Sequence, residues 1–291
     1  MKATAAVLAW VLSGLVLHGQ TPAMTNSVGM EFVLVRPGTM VVGRFEPPYP
    51  RPPDPSPQAA AGEAAPARAP LPARGGRGTP LTADEYRQIE AAAKADALPG
   101  FPVTIDRAYY IGKFEVTQAQ WRAVMGSNPS IFQGALIEGP SDALPVDNVT
   151  WSDAQAFIRR LNALEKTTQY RLPTEFEWEF AARAGGEADI PWADIRQQAW
   201  AGTNRTTQAV GKMKPNAWGL YDMLGNVWEW VQDYYNEKLF ADPTPPRTGK
   251  EHVLKGGGFV SDVKNAIPAT HAAGPGSKFD VGFRVVRGAG N

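Results

Sequence analysis

Residues Gly219–Val231, GLYDMLGNVWEWV, bring two tryptophans, two carboxylates, two glycines and an asparagine into one short stretch. That is too polar for an ordinary buried strand and too aromatic for an ordinary loop. Gly225-Asn226 readily turns a chain, and it stands between Asp222 and Glu229. Two readings fit the spacing. In one, the turn gathers both carboxylates and nearby backbone carbonyls into an oxygen cage for a hard cation such as calcium. In the other, the stretch is a hairpin with Trp228 and Trp230 in the core and the carboxylates solvated. On spacing alone the hairpin is the simpler reading, because calcium loops outside the EF-hand pattern have no diagnostic spacing.

The 291 residues are enough for a substantial core, and one compact domain is expected once the unusual segments are set aside. Lysine plus arginine and aspartate plus glutamate balance at 29 each. No broad charge footprint for nucleic acid or an anionic membrane surface results. Cysteine is absent, which excludes disulfides and acylation at a lipobox cysteine. Lys2 followed by an apolar run from Ala3 to Leu17 reads as a secretory signal peptide over residues 1–23, with a mature start between Gln20 and Met24. An uncleaved N-terminal anchor is the alternative. The expected location is secreted or periplasmic, with no membrane association beyond the signal peptide.

Outward from the central stretch, Phe32–Val35 and Met40–Val42 flank Pro37-Gly38, a hairpin signal. From Phe45 to Pro80 the chain is rich in proline and alanine, which reads as a disordered or extended insertion. Thr82–Ala97 has good helix formers and continues that insertion to about residue 100. Val103–Phe114 suggests paired strands. Thr117 with Gln120, Thr150 with Asp153 and Thr174 with Glu177 each have the spacing of a helix capping box. Gln208–Val210, Trp228–Gln232, His252–Leu254 and Phe283–Val286 are short strand candidates. Few helices and many loops on a small antiparallel sheet give an α+β fold.

GMEFVLVRPGTMVVG, FEVTQAQW, PVDNVTWSDAQAF, RLPTEFEWEFAARAG, PNAWGLYDMLGNVWEW, KGGGF and GFRVV occur in that order. As an ordered set they resemble the formylglycine-generating enzyme family, the sulfatase-modifying-factor domain. The resemblance covers nearly all of Val28 to Arg287 outside the proline-rich insertion. It implies a variant of the C-type lectin-like fold with little regular secondary structure, over residues 24–291. It also implies a structural calcium held by the Asp222 side chain, the Gly225 and Val227 carbonyls and the Glu229 carboxylate. A second calcium loop of the family is not matched by Ala201–Gly211.

The family's oxidases bind copper(I) through two cysteines that follow a lysine- or arginine-Gly-Gly motif, and soft thiolates suit that ion. Counted from Lys255-Gly256-Gly257, those positions are Ser261 and Ala266. A hydroxyl is a poor copper(I) ligand and a methyl group is none, so no copper is expected. The three-histidine iron site of another branch is not matched by His18, His252 and His271. What remains is a non-catalytic, exported binding or scaffold protein, a pseudoenzyme of the family. Its protein or glycan ligand would sit in a cleft near Ser261 and His271, and no nucleic-acid partner is expected. Two alternatives stay open: an oxidase acting on protein substrates, and a hypervariable ligand-display protein, since Lys255–Arg287 has the layout of such a variable segment.

Overall fold

Three threonines decide where helices begin. The Thr117, Thr150 and Thr174 side chains each accept the backbone amide three residues on, and Gln120, Asp153 and Glu177 bond back to the threonine amides. This reciprocal pairing satisfies amides that a helix start otherwise leaves without partners. The helices that follow are α1 (Gln118–Met125), α2 (Trp151–Leu164) and α3 (Glu175–Ala182), with a fourth, α4, at Trp192–Gln198. Thr174→Ala is expected to lower stability by about 1 kcal/mol, read as a lower urea midpoint with an unchanged slope.

The structure is a computed structural model and describes residues 23–42, 100–186, 192–202, 205–239, 242–261, 266–274 and 279–290. Nearly all of the expected signal peptide, the proline-rich insertion and the helix expected over Thr82–Ala97 lie outside these residues. No helix among the described residues is long and apolar enough to cross a membrane.

The strands are short. They are β1 (Ala23–Thr25), β2 (Glu31–Val35), β3 (Gly38–Val42), β4 (Phe101–Ile105), β5 (Tyr109–Gly112), β6 (Tyr170–Arg171) and β7 (Ala199–Trp200). Then come β8 (Leu224–Gly225), β9 (Trp228–Tyr234), β10 (His252–Lys255), β11 (Ala272–Gly274), β12 (Val281–Gly282) and β13 (Val286–Gly288). One sheet runs β1-β2-β5-β13-β6 and a second β11-β10-β9-β12, while β3 pairs with β4 and β7 with β8. Side chains alternate across the first sheet, so both its faces are buried. Phe32 joins Trp121, Phe157, Leu161 and Phe283 on the side of α1 and α2. Val33, Val35 and Ile111 join Trp178, Phe180 and Val231 on the side of α3. Trp121 stacks on Phe157 with centroids 5.4 Å apart, which closes the first core.

Several expected pairings are redirected. Phe32–Val35 and Met40–Val42 do not form a hairpin: β2 pairs with β1 and β5, whereas β3 pairs with β4. Pro37 has no amide to extend a ladder, and the chain changes sheets there. Val103–Phe114 likewise divides between β4 and β5, which have different partners. Gln208–Val210 is not a strand. Phe283–Val285 is the passage between β12 and β13, with Phe283 and Val285 in one core and Val286 in the other.

The central stretch is not a hairpin either. β8 pairs in parallel with β7, while β9 lies between β10 and β12. The turn at Gly225-Asn226 hands the chain from one sheet to another. It does so at a crossing of backbones: the Gly225 amide donates to the Gly256 carbonyl at 2.9 Å and the Asn226 amide to the Trp200 carbonyl at 2.8 Å. Trp230 is fully buried, Trp228 is half-buried, and Asp222 and Glu229 are buried rather than solvated.

Candidate functional site

Glu229 projects from β9 into the core and is met there by Arg284, from the passage between β12 and β13. Arg284 Nε donates to Glu229 Oε2 at 2.7 Å and Nη2 to Oε1 at 2.6 Å. Its remaining donors reach the carbonyls of Gly112, Tyr221 and Asp222. Trp178 Nε1, from α3, adds a 2.7 Å bond to Glu229 Oε2. Both oxygens of Glu229 are therefore engaged by protein donors.

Two further carboxylates surround this pair. Glu115 accepts from Asn226 Nδ2 at 2.8 Å and from the Val227 amide at 3.2 Å. Its carboxyl is pushed well above the usual range by burial first, then by the charges of Asp222 and Glu229. Asp222 Oδ2 accepts the Gly211 amide at 2.6 Å, while the buried Oδ1 has no hydrogen-bond partner. Burial raises its pKa to about 6. Asn226 ties the cluster together, because its side chain also accepts the Gln208 amide at 2.9 Å and donates to the Gln208 carbonyl at 3.2 Å.

The residues expected to hold calcium are thus adjacent, but they are not equivalent as donors. Asp222 offers a buried oxygen that lacks a partner, which suits a hard cation. Glu229 does not fit as a calcium ligand in this arrangement, because Arg284 already supplies its counter-charge. Gly225 and Val227 lie on the turn between these two side chains.

Trp178 separates this cluster from a second one. Lys255, fully buried, lies 5.8 Å from the Trp178 ring centroid. Its Nζ is 3.1 Å from Glu179 Oε2 and 3.7 Å from Glu175 Oε1. Glu179 also holds Arg183, and Glu175 also holds His271. Charges of alternating sign run through the core as Arg183, Glu179, Lys255 and Glu175, with the His271 ring beside Glu175. Asp233 Oδ2 accepts the Glu175 amide at 2.7 Å at the start of α3.

Ser261 and His271, expected in one cleft, serve separate structures. Ser261 Oγ accepts the Gly258 amide at 2.9 Å and the Ser261 amide donates to the Gly258 carbonyl, a closed turn. His271 is bonded to Glu175 and to the Asn236 carbonyl. Ala266 is fully buried beside Ile195, Ala201 and Leu224. Next to the Ser261 turn, Phe259 packs edge-on against Phe132 at 5.4 Å and Phe279 at 5.8 Å. Among the described residues, five large apolar side chains are exposed. Four of them, Ile131 (39%), Leu136 (61%), Val260 (50%) and Phe279 (43%), belong to the segments that build this aromatic contact. The sequence pattern missed these exposed side chains, and it also missed the pairing of Arg284. A lone arginine inside the apolar run GFRVV was the available signal, since a cation enters such a run only with a partner.

The loop carrying Ile131 is held by Asp147. Its Oδ1 accepts the Ile131 amide at 2.7 Å, and its amide donates to Ser130 Oγ at 3.1 Å. Burial raises the Asp147 carboxyl from 3.8 to about 6, and Asp222 and Asp233 shift in the same direction to about 6. Raised carboxyls bind more protons in the folded than in the unfolded chain. Their stabilisation is complete below the unfolded value and is lost as pH rises through 6. Glu175 is held below 4.5 by His271 and Lys255 against its burial and acts at lower pH. The urea midpoint is therefore expected to fall between about pH 4.5 and 7. In Asp147→Asn that slope should shrink by about one proton, and an unchanged slope would count against the assignment.

The chain belongs to the family described as the sulfatase-modifying factor enzyme 1-like domain, which matches residues 74–289. A chaperone protein, LppX, of Paenibacillus barcinonensis is 32% identical over 62% of this chain and 80% of its own length. The formylglycine-generating enzyme of Thermomonospora curvata is 34% identical over 50% of this chain, which spans about half (52%) of that enzyme. The inactive C-alpha-formylglycine-generating enzyme 2 of Bos taurus is 30% identical over 60% of this chain and 58% of its own. Among solved structures, Treponema denticola variable protein 1 is similar with a TM-score of 0.59 and 30% identity, covering 65% of this chain and 87% of that one. PvdO from Pseudomonas aeruginosa gives a TM-score of 0.65 at 20% identity, covering 92% and 98%. The fold is the formylglycine-generating-enzyme variant of the C-type lectin-like fold, α+β with little regular secondary structure.

Proposed function

We propose that this chain is an exported, non-catalytic member of the family that binds a polypeptide through the apolar surface around Phe259. One observation carries the reading. Where the family's oxidases place a copper-binding cysteine, this chain has Ser261 with its hydroxyl closed into a turn, and the flanking side chains Val260 and Phe279 are exposed. Such an arrangement offers contact area and no redox ligand. The similarity to a protein called a chaperone and to an inactive family member supports a binding role. A polypeptide supplies the apolar segments this surface would cover.

The test uses a set of peptides spanning apolar and polar segments, with affinities measured for the wild type and for Val260→Glu combined with Leu136→Glu. Both positions are exposed, so the melting temperature should hold while affinity for apolar peptides falls at least about tenfold. Oxygen-dependent conversion of a cysteine in a peptide substrate would overturn the reading in favour of the oxidase. The likeness to a Treponema variable protein keeps ligand display as a second reading, which a near-duplicate template repeat beside the coding sequence would favour.

Export belongs to the same proposal. Processing before Ala23 preserves the three pairs that β1 makes with β2, Ala23 with Val33, Met24 with Phe32 and Thr25 with Glu31. N-terminal sequencing of secreted protein is expected to begin within residues 20–24, and an intact Met1 would contradict it. The structural calcium enters with an altered donor set, Asp222 with the Gly225 and Val227 carbonyls, Glu229 being committed to Arg284. Chelation is expected to lower the melting temperature. If it does not, and metal analysis finds no calcium, Arg284 is the sole counter-charge.

A further inference from the structure

The His271 ring is held at both nitrogens. Nδ1 lies 2.5 Å from Glu175 Oε1 and Nε2 lies 3.0 Å from the Asn236 carbonyl oxygen. A backbone carbonyl only accepts. An ionised carboxylate also only accepts. A neutral imidazole has one N–H and one lone pair, so it can satisfy one of these oxygens and must turn a lone pair on the other. Only the imidazolium, with two N–H groups, satisfies both.

The surroundings keep Glu175 ionised. Lys255 Nζ lies 3.7 Å from the same oxygen, and its charge favours the ionised carboxylate against the burial that opposes it. Asp233, on β9, caps the Glu175 amide, and its own carboxyl is raised to about 6 by burial and by the charge of Glu175. Tyr235 stacks on the imidazole at 4.5 Å, and Glu237 and Glu251 act on Tyr235. The groups facing the ring from α3 and from the end of β9 are therefore acceptors, acids or an aromatic face, and Lys255 on β10 reaches it only through Glu175.

The position of the ring gives the contact a consequence. His271 immediately precedes β11, whose partner in its sheet is β10. The ring fastens that edge strand to the first turn of α3 and to the chain beyond β9. Gly274, at the far end of β11, packs so closely on Trp230 and Leu254 that a Cβ there would stand 2.3 Å from the Trp230 ring. Loosening at His271 is thus confined to the near end of the strand.

We propose that His271 is a proton-dependent clasp: the imidazolium pins the start of β11 to Glu175 and Asn236, and loss of one ring proton to solvent releases it. Deprotonation breaks one N–H···O bond and sets a nitrogen lone pair against an oxygen lone pair. The clasp is closed while both ring nitrogens carry protons and opens, with rising pH, when one is lost. This inference rests on the ring geometry and is independent of the binding role proposed above.

The test follows hydrogen exchange of the β11 amides in the full chain from about pH 5 to 8, expressed as protection so that the intrinsic pH dependence of exchange is removed. Nitrogen-15 shifts of the ring report its protonation in the same samples. Both ring nitrogens are expected to carry protons at the acid end, with β11 protection falling about tenfold as one is lost, the effect of a charge-assisted hydrogen bond. In His271→Gln the step should vanish and protection should stay low throughout. Asp233→Asn separates the carboxyl that titrates nearby, and there the step should remain. A ring neutral across the whole range, protection indifferent to its titration, or a step that survives in His271→Gln would each overturn the clasp. The wild-type shifts and exchange decide the matter even if the glutamine variant fails to fold.

Discussion

Arg284→Met is expected to lower folding stability by about 3–5 kcal/mol, the cost of breaking a buried ion pair from one side. The methionine fills much of the volume but leaves Glu229 with only the Trp178 bond, in a core that also contains Glu115 and Asp222. The Gly112, Tyr221 and Asp222 carbonyls lose their donor as well. Acid should restore part of the loss, because Glu229 can then take a proton in place of the guanidinium. Arg284→Lys keeps the charge but not the planar fork, so it should fall between wild type and methionine. Urea unfolding at two pH values measures all of this. A loss below about 1 kcal/mol for Arg284→Met, or no recovery in acid, would show that Arg284 is not the counter-charge of this cluster.

Gly225→Ala is expected to cost about 3 kcal/mol or more, through strain at a position that needs positive φ and has no room for a side chain. The residue has φ +80, and a Cβ would stand 2.2 Å from the Trp200 carbonyl oxygen and 2.7 Å from the Trp200 amide nitrogen. Those are backbone atoms of β7, and moving them breaks the Asn226 bond to the Trp200 carbonyl. Gly219 is the matched control, with the same φ of +80 and nothing within 4 Å of a built Cβ. Gly219→Ala should therefore show the backbone penalty alone, about 1–2 kcal/mol. If the two variants lose the same stability, the crossing at Trp200 is looser than its distances imply.

The helix starts were legible because each is local. Thr174 and Glu177 are three residues apart, and the bonds that define the cap run between them. The strands were partly legible for the same reason, as apolar alternation in Phe32–Val35 marks a strand whatever it pairs with. Their partners were not legible. Pro37-Gly38 has the composition of a hairpin turn, but pairing depends on which edge is open when the chain arrives, and β5 and β4 come from beyond the proline-rich segment.

The candidate site divides along the same line. The composition of Gly219–Val231 by itself marked a place where carboxylates and tryptophans meet, and the absence of cysteine by itself removed the thiolates that copper(I) chemistry uses. Only the tertiary structure decided what the carboxylates face. Arg284 is 55 residues from Glu229 along the chain, and nothing local to either links them. A buried charge is tolerated only where an opposite charge arrives in three dimensions. His271 shows the same dependence: the sequence placed it near a cleft, whereas Glu175, 96 residues away, holds its ring by a hydrogen bond. Bonds between neighbours along the chain can be read from their spacing, but a buried charge receives its role from whichever partner the fold brings to it.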